Sequence, residues 1–306
     1  MITVKPHRTE LLGLHASVGG LAVFLDLFAI KELAKGDPAR RKRFIALLDR
    51  GVEVLFSVSN AAELSGPQGP SSEKMREFLD EIGPHWFPVE FDPQVCIQRE
   101  LELKDPLACC VSERLLKAFT ATGIRRSPAI QVADLPASLP ADFFRLGLFM
   151  DSLASQRQAI IDTKAQMGRM FKDQIMEHRS KHEKDPAWLD DNFPEVRFKA
   201  GYAATFAHVN LVRLLILEFK DRAMMPNDAI DFGQAVIASA YASVATLDKH
   251  WKRRVDLLPK PNGLARVYCS PYLDQMVQDI EKHLDWLALQ RGRVIATSTG
   301  THPPLR

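Results

Sequence analysis

"PNDAIDFGQAVIASAYASVATLDKHW", residues 226–251, decides the fold. From Ala229 to Tyr241 it is a run of small and apolar residues at helical spacing, which predicts a helix able to approach a sheet closely. From Val244 it becomes a short apolar run closed by Thr246, Leu247 and Asp248, the pattern of a strand buried on both faces. A small-residue helix feeding directly into such a strand belongs to an α/β protein with a mainly parallel sheet. Two carboxylates break the core-like pattern: Asp231 at the head of the helix and Asp248 at the end of the strand.

Further strands lie outward from this segment. "GGLAVFLDLFAIKELAK" (19–35) reads as a buried strand followed by a helix, and "VEVLFSVS" (52–59) as a second strand with a helix starting at "NAAELSG". "WFPVEFDPQV" (86–95) suits a short strand or an extended connection, and "GLARVYCSP" (263–271) another strand. Asp37, Pro38 and Gly51 bracket an intervening helix as N-cap, first residue and stop. Residues 66–72 and the stretch from 123 to 140 are rich in loop residues, and 72–82 forms a short helix.

The middle of the chain has a different character. From Gln94 to Thr122 the pattern is helical with a break at Pro106; 140–186 fits one long helix or a kinked pair, and 195–221 a second long helix. The expected architecture is one α/β domain over 1–290, a helical insertion over about 94–222, and a flexible tail over 291–306.

With 306 residues, 46% apolar and 25% charged, the chain can bury a large core. A net charge of +2 does not by itself announce nucleic-acid binding, although Lys249, Lys252, Arg253 and Arg254 form a local basic cluster. The four cysteines have no CxxC spacing and no apolar run is long enough for a membrane span, so a reducing cytoplasm is the expected setting. Neither GxGxxG, GxxxxGK[ST] nor GxSxG occurs, and His178 and His182 lack the HExxH order. The methionines at 167, 170, 176, 224 and 225 read as core filling.

Four acids share one topological position. Asp26, Glu63 and Asp248 each stand where a strand ends or the following helix begins, and Asp231 opens the helix before the last strand. Sites in open α/β sheets form at those strand ends, and carboxylates gathered there repel one another until a divalent cation joins them. Oxygen-only ligands favour Mg²⁺ or Mn²⁺ over zinc. Each acid also has a local explanation: Asp26 and Asp248 as helix caps, Glu63 with Asn60 as a capping box, Asp228 and Asp231 as first-turn charges. If capping were the whole story, the four positions would not surround one cleft.

"VFLDLFAI", "SVSNAAELSG" and "NDAIDFGQAVIASAYASVATLDKHW" resemble, in order and spacing, the motifs of PIN-domain nucleases. The resemblance covers about 20–66 and 224–270, and the helices between look like the long insertion of larger PIN-like bacterial proteins. It implies a PIN-like three-layer fold and metal-dependent hydrolysis of phosphodiester bonds by an endoribonuclease. It implies Asp26, Glu63, Asp231 and Asp248 as the catalytic, Mg²⁺- or Mn²⁺-binding acids and Asp228 as an accessory. Thr246 and Asn227 would be supporting residues. Lys249, Lys252, Arg253 and Arg254 would hold the RNA backbone, with Trp251 either stacking on a base or packing in the core. The chain has Asp26-Leu27-Phe28 where many members have Asp-Thr-Asn, and Gln234 where the family often has His. These departures motivate an alternative, a catalytically weak or inactive PIN-like module that binds nucleic acid or protein. Self-association and a protein regulator are compatible with both.

Overall fold

The computed structural model describes residues 1–5, 13–64, 70–103, 105–126, 141–153, 157–218, 225 and 227–298. An antiparallel pair, β1 (Ile2–Lys5) with β2 (Gly13–Ala16), precedes the main sheet and was not anticipated. The main sheet contains β3 (Leu21–Phe24), β4 (Val52–Ser57), β5 (Trp86–Val89), β6 (Val244–Thr246) and β7 (Arg266–Tyr268). All five are parallel, in the order β5-β4-β3-β6-β7.

Between the strands run α1 (Leu27–Lys35), α2 (Pro38–Leu48), α3 (Val58–Leu64) and α4 (Pro70–Ile82). The central helices are α5 (Pro93–Glu102), α6 (Pro106–Cys110), α7 (Glu113–Arg126), α8 (Leu146–Leu153), α9 (Arg157–Lys184), α10 (Ala187–Asn192) and α11 (Ala203–Leu217). The chain closes with α12 (Asp228–Tyr241), α13 (Lys249–Asp256) and α14 (Leu273–Ser298).

Alternation along the strands creates two cores, one on each face, and hence three layers. Leu21, Val23, Val54 and Phe56 point to a core completed by Ile30 of α1, Phe44 of α2, Phe78 of α4 and Val277 of α14. Ala22, Phe24 and Leu55 point to the opposite core, with Leu211 of α11, Val236 of α12 and Trp251 of α13. The small residues of α12 explain its place there: Ala235, Ala238 and Ser239 are fully buried, so the helix axis lies close to the sheet. Gly20 permits a similar approach, since a Cβ there would stand 2.2 Å from the carbonyl oxygen of Gly51.

The central helices neither project from the body nor form a separate unit. Leu115 and Phe119 of α7 and Phe149 of α8 join the first core, whereas Cys96 of α5, Ile175 of α9 and Leu189 of α10 join the second. Several expected boundaries are corrected. The stretch 140–186 opens with a 3₁₀ turn (Ala141–Phe144) ahead of α8 and α9, and residues 154–156, where one long helix would differ from a kinked pair, lie outside the described residues. The helix expected from 195 starts only at Ala203, because Gly201, at φ +84°, holds a left-handed conformation that a right-handed helix cannot pass. The tail expected from 291 is helical as far as Ser298: Gly292 costs about 1 kcal/mol in a helix but does not end it. Residues 66–69 and 127–140 of the expected loops, and 299–306 of the tail, lie outside the described residues.

All four cysteines are buried free thiols. Met170 and Met225 are 64% and 63% exposed, so they do not fill the core as expected. Among the described residues no helix is long and apolar enough to cross a membrane.

Candidate functional site

The chain leaves β3 toward β4 and β5 on one side, and later adds β6 and β7 on the other. Thus β3 and β6 are neighbours whose following helices diverge, α1 packing into one core and α13 into the opposite one. This is a topological switch point, where an α/β sheet opens a crevice at its carboxyl edge. A cavity of about 240 Å³ occupies it, and Asp26, Glu63, Asp231 and Asp248 all line it, together with Asn227, Gln234, Lys31 and Phe28. The four acids come from four different elements.

Asp26 follows β3 directly and caps α1, its Oδ1 accepting from the amide of Ala29 at 2.8 Å. The buried hydroxyl of Thr246 accepts from the Asp26 amide at 2.8 Å and donates to Asp26 Oδ1 at 3.0 Å. Burial raises the Asp26 pKa above the ordinary carboxylate value, against these hydrogen bonds. Asp248 caps α13 in the same manner, with Oδ1 accepting from the amides of His250 and Trp251 at 2.7 and 2.8 Å. Capping and lining therefore coexist: each cap uses Oδ1, while Oδ2 of both residues takes no hydrogen bond within the described residues.

Glu63 does not form the expected capping box. Asn60 turns instead to the strand ends, where its Oδ1 accepts from the Ser57 amide at 2.9 Å and its Nδ2 donates to the Leu25 carbonyl at 3.2 Å. Glu63 is thereby free to face the cleft, where Gln234 Nε2 donates to its Oε2 at 3.3 Å and Lys164 Nζ lies 3.5 Å from its Oε1. Gln234 also donates to the Ser59 hydroxyl at 3.2 Å. Asp231 has no such company: within the described residues its carboxylate accepts no hydrogen bond and forms no ion pair. Burial first, then the charges of Glu63, Asp248, Asp228 and Asp26, push its pKa up to about 7.

Other expected residues fall elsewhere. Asp228 does not line the cleft, and its Oδ2 accepts from the Met225 amide at 2.6 Å. Arg254 is corrected outright: it is 4% exposed, forms a bidentate pair with Glu218 at 2.7 and 2.8 Å, and lies over the Trp251 ring. It cannot grip a nucleic-acid backbone from there. Lys252 is engaged with Asp256 at 2.5 Å, whereas Lys249 and Arg253 stand exposed. Trp251 is buried at 2% exposure, the packing role rather than the stacking one.

Sequence reasoning missed Lys31, which lines the cleft, and Lys164, which pairs with Glu63. Lys164 belongs to α9 and meets an acid 101 residues away, so no local pattern could have flagged it.

Among the described residues no group of three or more His, Cys, Asp or Glu side chains is placed so that together they could hold a metal ion. In chemistry alone the lining acids offer the oxygen donors that a hard cation takes: two capped carboxylates, each with an oxygen that accepts no hydrogen bond, and the partly buried Asp231, without a partner among the described residues. Comparison with protein-family models, curated proteins and solved structures finds no match for this chain.

Proposed function

We propose that the protein is a PIN-like nuclease that hydrolyses phosphodiester bonds, in RNA, at the acidic cleft, with Mg²⁺ or Mn²⁺ held by Asp26, Asp231, Glu63 and Asp248. The observation that carries this is the meeting of four carboxylates from four elements in one cavity at the switch point. A bound divalent ion would supply an activated water and neutralise charge on the phosphate and the leaving oxygen. Asp26 is the fixed ligand, its orientation set by Thr246 and the Ala29 amide. Asp231 is a carboxylate whose partial burial among other acids favours a cation. Gln234 restrains Glu63, the role of a supporting polar residue. Lys31 in the cleft, and Lys249 and Arg253 on its α13 side, would attract and position the phosphate backbone. The choice of RNA rests on the family resemblance.

The test is cleavage of end-labelled single-stranded RNA with Mn²⁺ by the wild type, Asp26→Asn and Asp231→Asn. Both variants should lose at least about 100-fold in rate, the scale of removing one electrostatic group from a preorganised site. Wild-type activity in both would sink the assignment. A binding-only module is favoured by Leu27 and Phe28, which bring no hydroxyl or amide to the position after Asp26, with Phe28 38% exposed at the cleft. Mn²⁺ titration separates the two, since a binding-only module takes up no Mn²⁺ at millimolar concentration.

A further inference from the structure

A second cavity, of about 390 Å³, lies across the first turn of α12 from the acidic cleft. Its volume is that of a small-molecule site. The phenyl rings of Phe91, Phe171, Phe193 and Phe232 line it, with the imidazoles of His178 and His208. Phe171 and Phe232 lie with centroids 5.0 Å apart and planes 33° from parallel, and His178 stands 5.1 Å from Phe193.

The lining is not purely hydrocarbon. The Gln94 carboxamide lies 2.9 Å from Nε2 of His208, whose pKa burial lowers to about 4, so a neutral imidazole engages one of its two polar atoms. That leaves the other polar atom of the Gln94 carboxamide without a hydrogen bond within the described residues. The Gln174 carboxamide, on α9 at the edge of the cavity, is likewise unengaged within them. Aromatic faces beside carboxamide donors and acceptors suit a planar heterocycle with a polar edge. An acyl chain would set those amides against hydrocarbon, at a desolvation cost.

Helix α12 ties the two cavities together: Asp231 and Gln234 line the cleft, while the intervening Phe232 and Gly233 line this one. Resting on the nuclease reading above, we propose that the second cavity binds an unpaired nucleobase of the RNA whose phosphodiester enters the acidic cleft. It would make the enzyme select single-stranded segments, because a paired base cannot enter.

The probes are 2-aminopurine riboside, followed by its fluorescence, and a single-stranded oligoribonucleotide for cleavage. The riboside should bind saturably to the wild type and equally to Asp231→Asn, and about tenfold or more weakly to Phe171→Leu and to Gln174→Ala. Gln174 is exposed, so the second variant keeps the result interpretable if the first folds poorly. The oligonucleotide should show a raised KM with little change in kcat in both. Riboside affinity equal in the wild type and both variants, or binding of octanoate in place of the riboside, overturns the nucleobase site. Riboside binding that the two variants lose, in a wild type that cleaves nothing, supports the base site and overturns the nuclease reading instead. Cleavage with unchanged KM in both variants overturns the base site and leaves the nuclease reading standing.

Discussion

Thr246 holds Asp26 twice, accepting from its amide at 2.8 Å and donating to its Oδ1 at 3.0 Å, across 220 residues of chain. One hydroxyl thus joins the ends of the two strands that flank the switch point and aims the carboxylate between them. Thr246→Val keeps the shape and removes the hydroxyl, leaving the buried Asp26 amide without an acceptor. The expected loss is about 1–3 kcal/mol in denaturant unfolding, with a fall in Mn²⁺-dependent cleavage larger than that of a surface control. Unchanged stability would show that the amide finds another acceptor.

Asp231 makes stability depend on pH. Its pKa is raised to about 7 in the folded chain from an ordinary 3.8, so between those values the folded state binds more protons than the unfolded one. In chelator-treated protein, stability should therefore fall as pH rises from about 4 to about 7, with the penalty fully present above that. Asp231→Asn removes the titrating group. It should be more stable than the wild type at pH 8, by something on the order of 1–3 kcal/mol, and little different at pH 4. Parallel unfolding curves for the two proteins across that range would count against this account.

Lys164 is a competitor for Glu63. Its ammonium lies 3.5 Å from a carboxylate that a divalent ion would also need. In Lys164→Met, Mn²⁺ affinity measured by calorimetry should rise, within the roughly fivefold that a pair worth up to about 1 kcal/mol allows. A weakened affinity would mean that Lys164 positions Glu63 instead of contending for it.

Arg254 and Arg253 are adjacent in sequence and opposite in fate. Arg254→Ala leaves Glu218 without its bidentate partner and strips the cover from Trp251, and should cost about 2–4 kcal/mol of stability. Arg253→Ala and Lys249→Ala should leave the melting temperature nearly unchanged, while weakening RNA binding and flattening its salt dependence. A filter-binding series over salt concentration, beside thermal melts, checks both halves.

Strands β3, β4 and β6 could be read from the sequence because strands buried on both faces are near-continuous apolar runs. The acids were legible for the same reason, each standing out at the end of such a run or the head of the small-residue helix. Their convergence in one cavity depends on the pairing of β3 with β6, which no local pattern in the long connection from Val89 to Val244 announces. The pair β1 and β2 gave no such signal, for "ITVK" and "GLHA" are four residues each and carry no sustained apolar run. Arg254 was illegible as well: four basic residues on α13 look alike until Glu218 draws one inward. Gln234 was visible only as a departure from a family pattern, and its bond to Glu63 spans 171 residues. Side-chain partners at such separations are set by packing, not by local periodicity.

The switch-point geometry also governs when the cleft comes into being. Asp26 and Glu63 lie in the first quarter of the chain, Asp231 and Asp248 in the last, and the pairing of β3 with β6 brings the two pairs together. Contacts of such sequence separation form late, since their loop-closure entropy must be met before they are rewarded. A chain still emerging from the ribosome, or one cut within the central helices so that its ends part, carries two of the acids on either piece and no cleft. Any hydrolytic power held by these four carboxylates is therefore withheld until synthesis has passed Asp248 and the sheet has closed.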